Sequence, residues 1–306
     1  MIWLYIGIGV LLLAGGLLVP GYIAFGMAHS RKPAKLHQNN TGVDPVAPWR
    51  SMIDPAVARL KAGPWEDLYI TSHDGLKLHA AYFDRGCEDT VICFHGFHST
   101  PFGDFSIGGT FYLDEGYNVL FVDQRAHGQS EGKYITYGIH EHKDAARWVE
   151  HIAPRVKGRI FLCGISMGAA TVLMASHLEM PKVVGIIADC GFTSPREIIA
   201  KVIRHKMGMP DWPICDLMNW WCRWLGHFSQ TEWSTERTLK ESKYPVLFFH
   251  GTADDYVPFE MTQRSFEACT SDKEFIVVEG AGHGQSFLME PERCKAATRA
   301  FMERCR

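Results

Sequence analysis

No aspartate, glutamate, lysine or arginine occurs between Met1 and Ala28 of this 306-residue chain. Nothing in that run obliges it to stay in water. A helix over it, rising about 1.5 Å per residue, would exceed a hydrocarbon core of about 30 Å. We therefore expect a transmembrane helix, a membrane anchor over 1–28, although Pro20-Gly21 interrupts it. A cleaved signal peptide is the rival reading; the missing basic n-region and the length of the apolar run argue against it. Arg31, Lys32 and Lys35 follow while nothing basic precedes. The positive-inside rule then places the rest of the chain on the cytoplasmic side.

The nine cysteines include no CxxC pair, and the histidines form no HExxH. Neither His140-Glu141-His142 nor His95 with His98 supplies a closed ligand set, so no metal and no cofactor is expected. Cys93, Cys163 and Cys190 stand in or at the ends of apolar runs. That is the place of a reduced core residue, in keeping with a reducing compartment. With a formal net charge of -3 the chain lacks a general basic field, which argues against nucleic acid as a partner. Repeats and low-complexity tracts are absent as well.

What is present is globular composition, 46% hydrophobic and 21% charged. Residues 29–64, rich in Pro, Asn, Gly and charge, read as a linker with a short helix near Pro55 to Lys61. One domain then occupies 65–306. Glu66 to Thr71 and Leu76 to Phe83, joined through Asp74-Gly75, form an expected hairpin. Thr90 to Phe94, Asn118 to Val122, Arg159 to Cys163, Val183 to Ala188, Tyr244 to Phe249 and Glu274 to Glu279 read as further strands. Helices are expected over Ile139 to Ile152 and Pro291 to Cys305. The alternation predicts an α/β fold, a mostly parallel central sheet with flanking helices. Phe192 to Lys240 breaks the rhythm with helical pieces, Pro195 to Met207 and Ile214 to Leu225, and with five tryptophans. We read it as an inserted helical cap over about 192–240, offering either an apolar wall for an acyl chain or a membrane-contacting face.

Gly164-Ile165-Ser166-Met167-Gly168 is a GxSxG sequence between an apolar strand and an Ala-rich helix. A serine on such a turn is pushed out of the sheet at a helix N-terminus, where backbone N–H groups meet developing negative charge. Downstream, Asp254 and His283 also follow predicted strands. The order Ser166, Asp254, His283, together with His95-Gly96, Asp123 to Ser130, His250 to Pro258 and Gly282-His283, resembles the α/β-hydrolase superfamily. The resemblance runs from about Glu66 to the C-terminus and is nearest to membrane-tethered relatives of monoacylglycerol lipases, cinnamoyl esterases and serine aminopeptidase-like hydrolases. Ala126 departs from the glycine usual in the arginine loop.

The resemblance implies a serine hydrolase with Ser166 as nucleophile, His283 as base and Asp254 as its carboxylate, and with the N–H groups of Phe97 and Met167 as oxyanion donors. Asp255 and Asp189 are rival acids. His250, His127 and His95 read as loop-shaping hydrogen bonders, while His98, Trp220 and Trp224 are candidates for substrate contact. Arg196, Lys201, Arg204 and Lys206 read as a solvated helix face. The expected substrate is a small acyl ester, lipid-like or aromatic, cleaved through an acyl-enzyme. An amide or thioester hydrolase is the alternative within enzymes, and a non-catalytic binding module the alternative outside them.

Overall fold

The computed structural model describes residues 2–32 and 46–305 and, in the first helix, the side chains of residues 3, 5, 15, 16 and 18–29. Helix α1, Ile2–His29, holds Pro20 without ending there. Its last turns do not stand apart from the domain. Phe25 and His29 are fully buried, and the Tyr137 hydroxyl donates to the Ala28 carbonyl at 3.0 Å. Among the described residues, no helix is long and apolar enough to cross a membrane. The expected spanning helix is not found among the described residues, and the end of the uncharged run packs into the domain.

Part of the linker, 33–45, lies outside the described residues. Beyond it a short 3-10 turn, Ala47–Trp49, leads into α2, Arg50–Ala62, longer than the helix expected near Pro55 to Lys61. Ile53 and Leu60 of α2 are buried. The hairpin follows as β1, Glu66–Thr71, and β2, Lys77–Phe83. Then come β3, Thr90–Phe94, α3, Pro101–Asp104, α4, Ser106–Asp114, and β4, Asn118–Asp123. Sequence patterning leaves α3 and α4 unassigned because their glycines weaken helix propensity. Gly109 is needed there, since a Cβ would lie 2.6 Å from the Phe121 ring.

Helix α5, Glu141–Ile152, buries the stripe Ala145, Trp148, Val149 and Ile152 that its period dictates. After it come β5, Ile160–Ile165, α6, Met167–Ala175, and β6, Val183–Asp189. Between β6 and the next strand lie α7, Pro195–Lys206, α8, Ile214–Leu225, and α9, Thr235–Leu239. The chain closes with β7, Val246–Gly251, α10, Phe259–Ala268, β8, Lys273–Val278, α11, Ser286–Met289, and α12, Pro291–Arg304.

The eight strands form one sheet in the order β1-β2-β4-β3-β5-β6-β7-β8. β1 and β2 pair antiparallel, as do β2 and β4, and the remaining neighbours are parallel. Residues of β3 and β5 alternate between two apolar clusters: Ile92 and Leu162 face Trp148 of α5, while Val91 and Phe161 face the side of α4 and α12. Helices on both faces explain why these strands read as continuous apolar runs. A third cluster joins Phe25 of α1 to Ile135, Tyr137, Met167, Phe192 and the inner faces of α7 and α8. It lies where β5 and β6 end, as expected for a ligand crevice in a parallel sheet.

Candidate active site

Ser166 links β5 to α6 at φ 55° and ψ -112°, a left-handed conformation rare for a residue with a Cβ. The surrounding chain holds it there. Its N–H donates to the Asp189 carbonyl at 2.8 Å, and its carbonyl accepts from Ala170 N at 3.0 Å. A Cβ at Gly168 would strike the Phe94 carbonyl, and one at Gly164 would strike the Gly168 backbone. The two outer residues of the GxSxG sequence are thus glycines because strand and helix close on each other at that turn.

His283 lies in the loop after β8 and Asp254 in the loop after β7. Asp254 Oδ1 accepts from the N–H groups of Tyr256 at 2.9 Å and Val257 at 2.8 Å. Its Oδ2 lies 2.7 Å from His283 Nδ1, and His283 Nε2 lies 2.9 Å from Ser166 Oγ. A carboxylate accepts only, so the Nδ1 proton goes to Asp254 and Nε2 keeps a lone pair for the serine hydroxyl. The structure brings three residues distant in sequence into one hydrogen-bonded line. The Asp254 side chain is wholly buried while 27% of His283 stays exposed, so the line opens to solvent at the imidazole. Burial opposes charge on both groups. In His283 it is outweighed by the hydrogen-bonded Asp254 carboxylate, which helps hold the ring well above the usual histidine value. In Asp254 it is outweighed by His283 and His250, which hold the carboxyl well below its usual range.

Met167 is the first residue of α6, so its N–H is among those a helix leaves without an intrahelical acceptor. Phe97 follows Gly96, where a Cβ would sit 3.4 Å from that of Ser166. Asp104 pins this loop by accepting from Gly96 N at 2.6 Å and from Ser99 Oγ at 2.5 Å. The Phe97 ring stacks on His98 at 3.8 Å and on Tyr137 at 5.0 Å. His98 stands at φ 52°, with its N–H donating to His127 Nε2 at 3.0 Å.

The rival residues have other partners, and His250 lies 3.3 Å from Asp254 Oδ2 as well. Asp255 points outward to Lys206 at 2.5 Å. Asp189 accepts from Ser286 Oγ at 2.9 Å, and burial raises its carboxyl. His250 spans Thr262 and the Val257 carbonyl, His95 accepts from Gln124 N at 3.2 Å, and burial keeps His127 well below the usual histidine value. Trp220 and Trp224 do not make the substrate contact expected of them. They are 46% and 60% exposed, and they pack on Trp221 rather than on the serine. The buried positions of α8 are Cys215, Met218 and Cys222, so helical spacing turns the two tryptophans outward. Arg196 pairs with Asp216, and Lys201 donates to the Tyr256 carbonyl at 2.9 Å, so this face of α7 is tied to neighbouring segments rather than only solvated.

Two residues at the site carried no sequence signal. Tyr256 packs against the His283 ring at 5.1 Å. Cys190, at φ 49° just past β6, sets its sulfur close to His283 and Asp254. A single cysteine at a strand end reads as core, and only the fold shows what it faces.

Comparisons agree with this architecture. A family model described as "Alpha/beta hydrolase family" matches residues 91–297. The chain is 29% identical over 228 residues to an uncharacterized protein of Bacillus subtilis, YqkD, covering 74% of each. It is 25% identical over 268 residues to a bifunctional esterase/perhydrolase of Acinetobacter calcoaceticus, covering 71% of this chain and 92% of that one. Among solved structures, a Pyrococcus furiosus esterase superposes with a TM-score of 0.67 at 26% identity, covering 81% of this chain and 93% of the other.

Proposed function

Because the chain belongs to the alpha/beta hydrolase family and resembles a Pyrococcus furiosus esterase in structure, we propose that it is a serine esterase working through an acyl-enzyme. The hydrogen-bonded line Ser166, His283, Asp254 carries this reading. A serine hydroxyl is a weak nucleophile at neutral pH, so His283 Nε2 takes its proton as Oγ attacks the ester carbonyl. Asp254 keeps the ring in the tautomer that can accept and steadies the imidazolium that forms. The N–H groups of Met167 and Phe97 receive the tetrahedral oxyanion, each worth about 3 to 4 kcal/mol. His283 then returns its proton to the leaving alcohol, and water repeats the cycle on the acyl-serine. The apolar cluster above the serine, Phe97 with Tyr137 and Phe192, suits an apolar acyl group.

Labelling by a fluorophosphonate probe tests this. The wild type should label and Ser166→Ala should not; equal labelling of the two refutes the assignment. We also propose that the uncharged N-terminal run keeps the domain at a membrane on its cytoplasmic side, where nine unpaired thiols stay reduced. Membrane fractionation, with an impermeant thiol label applied to intact cells, checks this. Label reaching the domain from outside, or recovery wholly in the soluble fraction, contradicts it.

A further inference from the structure

Cys190 takes no part in the chemistry proposed above, yet it is the thiol that faces it. The residue is fully buried and stands just past β6, held at φ 49° with its N–H donating to the Phe249 carbonyl at 3.0 Å. Its Sγ, a ring nitrogen of His283 and a carboxylate oxygen of Asp254 lie within 4.8 Å of one another. Thiolate, imidazole and carboxylate are the three donor types that tetrahedral Zn²⁺ takes from proteins. The loops that deliver them follow three adjacent strands, β6, β7 and β8, so sheet register fixes their separation. A second cluster, His73, Asp74 and Asp144, differs in kind. Its two carboxylates already grip the Arg125 guanidinium at 2.6 to 3.1 Å, leaving no place for an ion.

We propose that Cys190, Asp254 and His283 form an inhibitory site for a thiophilic divalent cation such as Zn²⁺ or Cd²⁺, entering past the exposed part of the His283 ring. Binding forms a metal–sulfur bond as the Cys190 thiol releases its proton to solvent, with no change of oxidation state. The ion silences the base whichever ring nitrogen it takes. At Nε2 it occupies the lone pair that would accept the serine proton; at Nδ1 it displaces the bond to Asp254 and moves the ring proton onto Nε2. Buried cysteine is thus what distinguishes this site from a Ser-His-Asp line alone, which offers a cation no soft ligand.

The ion-binding arm does not depend on the proposed esterase activity, whereas the inhibition arm does. Cd²⁺ titrated into the full chain should produce the ultraviolet cadmium–thiolate band, in Ser166→Ala as well as in the wild type. Cys190→Ser should weaken Cd²⁺ binding at least about tenfold, since even partners that only support a metal ligand are worth 10- to 100-fold. Cys190→Gly, suited to the positive φ, serves as the second variant if the first does not fold. Zn²⁺ should compete for the band, and halving ester turnover should take at least about tenfold more Zn²⁺ in the variant than in the wild type, each referred to its own uninhibited rate. Equal Cd²⁺ affinity and equal band intensity with and without Cys190 overturn the site. A chain that shows the band but turns over no ester overturns the esterase reading and leaves the site standing.

Discussion

Ser166 is held at φ 55°, and the residues that hold it there are those that make it useful. The turn aims Oγ at His283 Nε2 and sets the Met167 N–H at the head of α6. At this scale Asp254→Asn is the sharpest substitution. It leaves the geometry near its present form but removes the acceptor that selects the ring tautomer, and turnover should fall by about 10⁴-fold, read from steady-state kinetics. A loss under tenfold would return the acid's role to Asp189. The pH dependence has a definite sign. His283 must be neutral to accept a proton, and the Asp254 carboxylate at 2.7 Å raises it above its usual value. Turnover should therefore rise with pH, with its acidic limb above the ordinary histidine range, measured as kcat/KM across pH. A limb below that range contradicts the pairing. The GxSxG sequence, the chain order of the three residues and the loop-shaping part of His250 and His95 were legible in the sequence, because each lies at or just past the carboxyl end of a strand. Cys190 and Tyr256 were not, because what they touch is set by which strands become neighbours.

Element by element, strands and long helices are the parts that local pattern determines. The stripe Ala145, Trp148, Val149 and Ile152 of α5 is buried as its period requires, and α8 spans the expected 214–225. The faces of α8 were a different matter. Composition alone left its tryptophans to either an acyl pocket or a membrane-contacting face, whereas Gly21 of α1 lies so close that a Cβ there would sit 2.5 Å from Leu217 Cβ. Trp221 donates to the Leu18 carbonyl at 3.0 Å, and Trp220 and Trp224 stay outside. The arginine loop makes the next test. Arg125 is 3% exposed and joins Asp144 of α5 to Asp74 of the hairpin turn. Arg125→Ala leaves the buried Asp144 without its partner and should cost about 3 to 5 kcal/mol, measured by urea unfolding. Asp74 is held well below its usual range, its burial outweighed by Arg125. Its share of stability is full above the unfolded carboxyl value and is lost as pH falls through the depressed one. Unfolding midpoints that do not decline with acid between those values would contradict this link.

Seen whole, the molecule has a sheet with two flanking cores and a third apolar cluster above the strand ends, into which the first helix runs. The absence of charge before Ala28 says that this segment avoids water but not which apolar surroundings it finds; Phe25 and His29 find them inside the domain. His29 donates no charge there, since burial lowers it to about 4. Phe25→Ala should then cost about 3 to 5 kcal/mol of domain stability, a loss that urea unfolding of the detergent-solubilised chain would register. An unchanged midpoint would mean that α1 is only a tether. The central claim is that acyl transfer passes through Ser166. It is tested most directly by intact-protein mass spectrometry within the first turnovers of a p-nitrophenyl ester, with peptide mapping of the adduct. One acyl group on Ser166, absent from Ser166→Ala together with turnover, is the expected result; steady hydrolysis with no adduct, undiminished in Ser166→Ala, would contradict it.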